Sequence, residues 1–384
     1  MTNGQKTISL LGATGSIGRQ TLDVAAKLGI GISAMAADTC VDRMETAARQ
    51  FHPAFVAMRN ESAAGELRLR LADTDIRVGG GEEAVLEVAR YDADQTVCAM
   101  VGIAGLRPCL AAMEAGHDIA LANKESLVCG GALVTAAAKR NHVRLLPVDS
   151  EHSAIHQCLR GQPDAKKRIL LTASGGPFFG RTRSALRNVT VQEALAHPNW
   201  QMGAKISIDS ATMVNKGLEL IEAAWLFDVD ECDIEILVHR QSIVHSMVEF
   251  EDGAVLAQLG VPDMRVPIAY ALTEGQRADF GAERLDFRRL ASLTFEAPDE
   301  ETFPATRLAR QAFRTGGTAP TILNGANEEA VAMFLAGRIG FLKITELIEE
   351  TLAECPAGAL TDLSAVFEAD RLARETVQRL ALRR

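Results

Sequence analysis

Three separated stretches, Asn123-Lys124-Glu125, Asp149-Ser150-Glu151 and residues 210–219, set charged and hydroxyl side chains among hydrophobics that read as buried secondary structure. Burying a carboxylate or an ammonium is costly unless it is paired, hydrogen-bonded or bound to a metal, so these stretches point to a charged pocket. Asp149 and Glu151 follow Val143, Leu145, Leu146 and Val148, a run with the length and branching of a buried parallel strand. Ligands of open α/β sheets bind beyond the carboxyl ends of such strands. Alternation along an extended segment places both carboxylates on one face with Ser150 opposite, and two hard oxygen ligands suit Mg²⁺ or Mn²⁺. An ordinary cap at Asp149 or Ser150, opening a helix over 153–159, accounts for the same residues.

From Ser210 onward the apolar positions Met213, Leu218, Leu220, Ile221, Ala224 and Trp225 fit a helix, with Ser210, Asn215, Lys216 and Glu219 polar. Asn215 and Glu219 are four apart and share a face. Glu219 near Asp149 and Glu151 completes a three-acid site, while Ser210, Asn215 and Lys216 can hold an anion such as phosphate. The plain alternative is an amphipathic helix with a solvated stripe. At the other end of the chain, strand-like residues 8–11 run into Gly12-Ala13-Thr14-Gly15-Ser16-Ile17-Gly18 and then into a helical pattern ended by Gly29. Strand, glycine turn and helix in that order form a dinucleotide-binding opening, with the helix N-terminus facing the pyrophosphate. The spacing is GxxGxxG, not the commoner GxGxxG. Asp38 lies about twenty residues beyond the turn, where an acid often grips the ribose hydroxyls of NAD.

Further βα units follow, with short strands expected at 54–58, 96–101 and 119–122 and helices at 41–51, 82–89 and 106–115. The expected fold is α/β, with a Rossmann-like doubly wound domain over 1–148. An α+β central catalytic domain is expected over 149–272, its strands at 234–238, 242–250 and 254–259, the last two joined by a Glu251-Asp252-Gly253 hairpin turn. A charged connector covers 273–300, and helical patterns at 304–314, 324–335, 342–352 and 363–380 make a small C-terminal helical domain over 301–384.

Read together, these residues resemble the 1-deoxy-D-xylulose 5-phosphate reductoisomerase family. The resemblance rests on GATGSIG at 12–18, ALANKESLV at 120–128, PVDSEH at 147–152 and TASGGPF at 172–178. It continues in HPNWQMGAKISIDSATMVNKGLE at 197–219, PDMRVPIAYAL at 262–272 and LNGANE at 323–328. The resemblance implies NADPH-dependent conversion of a ketose phosphate to 2-C-methyl-D-erythritol 4-phosphate, with one divalent metal, Mg²⁺ or Mn²⁺, acting as a Lewis acid. It implies that Asp149, Glu151 and Glu219 are the metal ligands and that Lys124 contacts substrate beside them. Ser174, Ser210, Asn215 and Lys216 match the family's phosphate pocket, with Ser150 and His197 holding the rest of the substrate. Thr14, Gly15, Ser16 and Ile17 match the pyrophosphate turn, Asn123 and Glu125 the nicotinamide ribose, and Gly203 a loop contact. The segment 197–203, with Trp200 and Met202, resembles a mobile lid that excludes water from a reactive intermediate. Members are usually homodimers paired through the central sheet.

One region departs from the pattern. Where relatives often carry a basic residue and an Asn to read the adenosine ribose phosphate, this chain has Asp38-Thr39-Cys40, with no positive charge at the expected spot. Either Arg43 supplies the charge or discrimination against NADH is weak. The net charge of -10 argues against nucleic acid or anionic membrane as partners. Seven scattered cysteines without CxxC spacing, and an N-terminus that enters a strand without a signal-like segment, point to a cytoplasmic protein with reduced thiols. Two rival readings are an NAD(P)-dependent dehydrogenase of an acidic semialdehyde and a non-catalytic dinucleotide sensor. The first leaves the three carboxylates unexplained, and the second explains the glycine turn alone.

Overall fold

A computed structural model describes residues 6–198, 200 and 202–383. Asn199 and Gln201 of the expected lid, and residues 1–5 of the N-terminal reading, lie outside the described residues. The chain divides into two compact units, one formed by 1–126, 134–153 and 263–283, the other by 127–133, 154–262 and 284–384.

The first unit is built on seven parallel strands: β1 (Thr7–Leu11), β2 (Gly31–Ala37), β3 (Phe55–Met58), β4 (Arg77–Gly80), β5 (Gln95–Cys98), β6 (Asp118–Leu121) and β7 (Leu145–Pro147). Their order in the sheet is β4-β3-β2-β1-β5-β6-β7, so the winding reverses between β1 and β5 and opens a crevice beyond their carboxyl ends. Buried Ile8, Leu10, Met35, Val56 and Val97 form the core with the helices on the sheet. The strand expected at 96–101 ends early at Cys98, where the chain turns into a short 3₁₀ segment at Ile103–Gly105.

Residues 263–283, expected to straddle the central domain and a connector, belong to this first unit. The helix Arg265–Leu272 sends Ile268, Ala269, Ala271 and Leu272 into its core. Gln95 donates to the Ala271 carbonyl at 3.1 Å, and Arg265 reaches Asp23 at 3.4 Å.

The second unit holds a four-stranded sheet of β8 (Lys166–Ala173), β9 (Ile234–Val238), β10 (Val244–Phe250) and β11 (Val255–Leu259), in the order β11-β10-β8-β9. β10 and β11 are the expected antiparallel hairpin, and β8 and β9 run parallel. The helices Ala305–Thr315, Ala319–Leu335, Phe341–Glu354 and Leu363–Ala381 belong to this unit.

Two local readings of the sequence are corrected. Asp149 and Glu151 do not lie on one extended strand: β7 is three residues long, and a helix, Ser150–Cys158, starts at once. Nor does one helix run from Ser210 to Trp225. Helix Ala204–Ala211 ends, Met213 takes a left-handed conformation at φ 64°, and a second helix, Val214–Phe227, begins. Thr212 turns its hydroxyl back on the Ile208 and Asp209 carbonyls, which competes with continuation of the helix.

Candidate active site

The glycine turn after β1 is held by its neighbours. Gly12 and Ala13 donate to the Ala36 carbonyl at 2.9 Å, and Gly12 has φ 91°. A Cβ on Gly12 would lie 2.3 Å from the Ala99 carbonyl oxygen, and one on Gly18 2.2 Å from that of Gly12. Only glycine lets the turn sit this low between β2 and β5. The following helix, Ser16–Leu28, starts at Gly15 without a side-chain cap, so no side chain competes for its first amides, the arrangement that suits a bound pyrophosphate. The residues therefore fit a dinucleotide.

Asp38 stands just past β2, and Arg59 just past β3 meets it in a bidentate pair, Nε to Oδ1 at 3.0 Å and Nη2 to Oδ2 at 3.1 Å. This corrects the expectation that no base lies near Asp38. The positive charge comes from 21 residues away, across a strand pair that local inspection does not reveal. Arg43 reaches the glycine turn, Nη1 to the Thr14 carbonyl at 3.3 Å. Cys40 is the N-cap position of helix Val41–Phe51.

Asn123 organises the end of β6. Its backbone amide donates to the Cys98 carbonyl at 3.0 Å, while its side-chain amide donates to Met100 at 2.8 Å, Gly102 at 3.0 Å and the Glu125 carboxylate at 2.9 Å. Its carbonyl oxygen caps helix Lys124–Asn141 by accepting from the Ser126 amide. Lys124, the first helical residue, thus points its ammonium at Asp149, 3.0 Å away, and both side chains are largely buried.

Asp149 also receives the Glu151 amide at 3.1 Å and the His152 ring at 2.9 Å. It therefore does cap helix Ser150–Cys158, as the plain alternative anticipated, while staying in a charged cluster. Ser150 donates to Glu151 at 2.5 Å. His152 is fully buried, so its hydrogen bond fixes the orientation of the Asp149 carboxylate. With hard oxygen donors and no sulfur, Asp149 and Glu151 fit Mg²⁺ or Mn²⁺.

In the second unit, Ser174 follows β8 in a tight turn. Gly176, at φ 67°, lets that turn press on the helix carrying Ser210; a Cβ there would come 2.6 Å from the Ser210 carbonyl oxygen. Ser174 Oγ lies 2.9 Å from His197 Nε2, and the Gly176 amide donates to it at 3.2 Å. The Trp200 amide donates to His197 Nδ1 at 2.9 Å, so the imidazole carries its proton on Nε2 and gives it to Ser174. With Oγ accepting twice, the serine's own proton can point at an anion. Burial, with the Arg240 guanidinium adding to it, pushes His197 down to about 4, which keeps this neutral tautomer. Trp200 is partly buried against His245, with ring centroids 6.3 Å apart, and Met202 and Gly203 lead into helix Ala204–Ala211.

Asn215 and Lys216 both hydrogen-bond Glu219. Lys216 and Glu219 are buried, so the ammonium and carboxylate neutralise one another within one turn.

Besides Arg59, three residues escaped the sequence reading. Arg240 donates to the Ser174 carbonyl at 2.7 Å and the Gly176 carbonyl at 2.6 Å, pinning the turn that presents Ser174. His239 accepts the Ile243 and Val244 amides on Nε2 and faces the Thr294 carbonyl at 2.8 Å, fixing the chain after β9. Asn327 donates to Asp209 at 2.8 Å, tying helix Ala319–Leu335 to the residue before Ser210. An amide side chain among the small and apolar residues of the LNGANE stretch was the available signal for the last.

Residues 8–131 match the family profile for 1-deoxy-D-xylulose 5-phosphate reductoisomerase; 145–227 match the profile of its C-terminal domain, and 259–376 that of the DXP reductoisomerase C-terminal domain. A 1-deoxy-D-xylulose 5-phosphate reductoisomerase of Acetivibrio thermocellus is 52% identical over 376 residues, which cover 97% of this chain and 98% of that protein. Among solved structures, the chain superposes with TM-score 0.94 and 43% identity on the Zymomonas mobilis enzyme in complex with NADPH, covering 99% of this chain and 100% of that one. A DOX-P reductoisomerase in complex with NADPH, fosmidomycin and magnesium aligns with TM-score 0.93 and 40% identity over 98% of both chains.

Proposed function

The chain belongs to the 1-deoxy-D-xylulose 5-phosphate reductoisomerase family, and from that membership we infer how its own residues carry out the reaction. It rearranges and reduces 1-deoxy-D-xylulose 5-phosphate to 2-C-methyl-D-erythritol 4-phosphate, using NADPH and a divalent metal. The observation that carries this reading is agreement along nearly the whole chain, in sequence and in fold, with enzymes of this one activity.

Asp149, Glu151 and Glu219 hold the metal, which supplies Lewis-acid polarisation of the substrate's ketone and adjacent hydroxyl. NADPH supplies the hydride. Lys124, aimed by the Asn123 cap and Asp149, donates a proton to a substrate oxygen and balances charge that develops there. Ser174, Ser210, Asn215 and Lys216 bind the phosphate, Ser174 with the proton left to it by His197 and Gly176. Ser150 and His197 hold the remainder of the substrate, and Trp200 and Met202 close over it to exclude water. The turn at Thr14, Gly15, Ser16 and Ile17 cradles the pyrophosphate, with Asp38, Thr39 and Cys40 at the adenosine end. Asn123, Glu125 and Gly203 lie towards the nicotinamide.

The active species is a homodimer paired through the second unit's sheet. Its support is β11, an edge strand whose Val255 and Leu256 are 46% and 50% exposed; a bare apolar edge is a template for pairing with another copy. Among the described residues no helix is long and apolar enough to cross a membrane, and none of the seven cysteines is in a disulfide; both suit a cytoplasmic enzyme.

The test is oxidation of NADPH by purified protein given the ketose phosphate and Mg²⁺ or Mn²⁺. Absorbance should fall only when substrate and metal are both present. Turnover that survives exhaustive chelation would overturn the metal-dependent reading.

A further inference from the structure

The parallel pairing of β2 with β3 continues one step past both strands: Arg59 donates its amide to the Ala37 carbonyl at 2.8 Å, and Asn60 to that of Asp38 at 3.2 Å. Asp38 and Arg59 are therefore neighbours on the rim, at the carboxyl ends of adjacent strands, beside the glycine turn that follows β1. A dinucleotide whose pyrophosphate lies on that turn places its adenosine ribose at the end of β2. An acid at this position would grip a free 2′-hydroxyl and repel a 2′-phosphate. Here the acid is already engaged. Arg59 spends two of its five N–H donors on it and keeps three, and both side chains stay open to solvent, 41% and 56% exposed. Arg43 lies on the phosphate side, against the Thr14 carbonyl, while its neighbour Asp42 is drawn off to Arg70 at 2.7 Å. Arg59 and Arg43 thus bring two guanidiniums to a rim whose nearest carboxylate, Asp38, is already engaged, with Glu82 also within electrostatic reach of Arg59.

We propose that Arg59 is the specificity-determining residue for NADPH, its guanidinium receiving the 2′-phosphate while Asp38 holds it in place from the other side. The proposal rests on the reading of this chain as an NADPH enzyme. It explains how a chain with an acid at the end of β2 reads a phosphate there: a planar guanidinium can bridge a carboxylate and a phosphate, and the second anion takes donors the first leaves unused.

The test is calorimetric titration of the full-length protein with adenosine 2′,5′-bisphosphate and with adenosine 5′-monophosphate, which differ only in the 2′-phosphate. Wild type should bind the bisphosphate more tightly. Arg59→Ala should lose roughly tenfold or more of that preference with the monophosphate affinity unchanged, as expected for one charge-assisted contact. Because Arg59→Ala also strands Asp38, the double variant Asp38→Asn/Arg59→Ala is compared with Asp38→Asn alone. The same loss between those two assigns the effect to the guanidinium and not to the exposed acid. The ratio of kcat/KM for NADPH to that for NADH should fall in step. Full preference retained in both Arg59 variants would overturn the proposal and leave Arg43 or the Thr39 backbone as the reader. An equal loss for both nucleotides would also overturn it, as damage to the rim. A wild-type protein that bound NADPH no better than NADH would instead sink the cofactor reading beneath it.

Discussion

Glu219 sits under two hydrogen bonds, from Asn215 and Lys216, although its proposed task is to hold a metal. Removing its charge should act twice. In Glu219→Gln, Mn²⁺ affinity measured by electron paramagnetic resonance should drop at least roughly tenfold. Stability should fall too, because buried Lys216 loses its counter-charge; breaking such a pair typically costs about 3–5 kcal/mol, somewhat less where an amide still accepts. Wild-type Mn²⁺ binding by this variant would remove Glu219 from the ligand set. His197 offers a pH test. Its folded pKa, about 4, lies below the ordinary 6.5, so the unfolded chain binds the proton more readily. Its contribution is therefore intact above about 6.5 and lost as pH falls toward 4, and His197→Gln should flatten the melting temperature's dependence on pH across that window. An unchanged profile would mean that the imidazole is solvated. Residue types at these positions were legible in sequence because buried charge is conspicuous. Arg59 and Arg240 were not, because an arginine in a loop looks like surface until its partners, 21 and 66 residues away, are seen.

At the scale of elements, two turns do the positioning; one can be tested by filling it and the other by removing the side chain that pins it. Gly18→Ala puts a methyl against the Gly12 carbonyl oxygen, whereas the nearest atom to a Cβ on Gly15 is 3.3 Å away, at φ -73°. Gly18→Ala should therefore cost about 1–3 kcal/mol by chemical denaturation and weaken NADPH, while Gly15→Ala should cost far less stability. Equal costs would show that the turn relaxes freely. Arg240→Ala frees the Ser174 and Gly176 carbonyls, so KM for the ketose phosphate should rise with NADPH affinity unchanged. A matching loss for NADPH would point to general unfolding. Periodicity revealed most helices and the β10–β11 hairpin. It missed the break at Met213, where one residue in left-handed conformation divides two helices of unbroken apolar pattern. It also misread 149–151 as strand, since a polar stretch after an apolar run is compatible with either a strand end or a helix cap.

For the whole molecule, local pattern says what an element is but not where it returns. Residues 263–283 join the first unit through Gln95 and Asp23, contacts about 176 and 242 positions apart in sequence, which no local window senses. Assembly is testable at this scale: light scattering should give a dimer, and Leu256→Arg on the exposed edge of β11 should shift it toward monomer. A wild-type monomer that is fully active would remove the dimer from the mechanism. The central claim is that the carbon skeleton is rearranged before it is reduced, which separates this enzyme from a plain ketone dehydrogenase built on the same glycine turn. Proton NMR of the product tests it most directly. Rearrangement leaves the substrate's methyl group on a carbon bearing no hydrogen, so the account predicts a methyl singlet. A methyl doublet, from simple reduction of the unrearranged ketone, would contradict it.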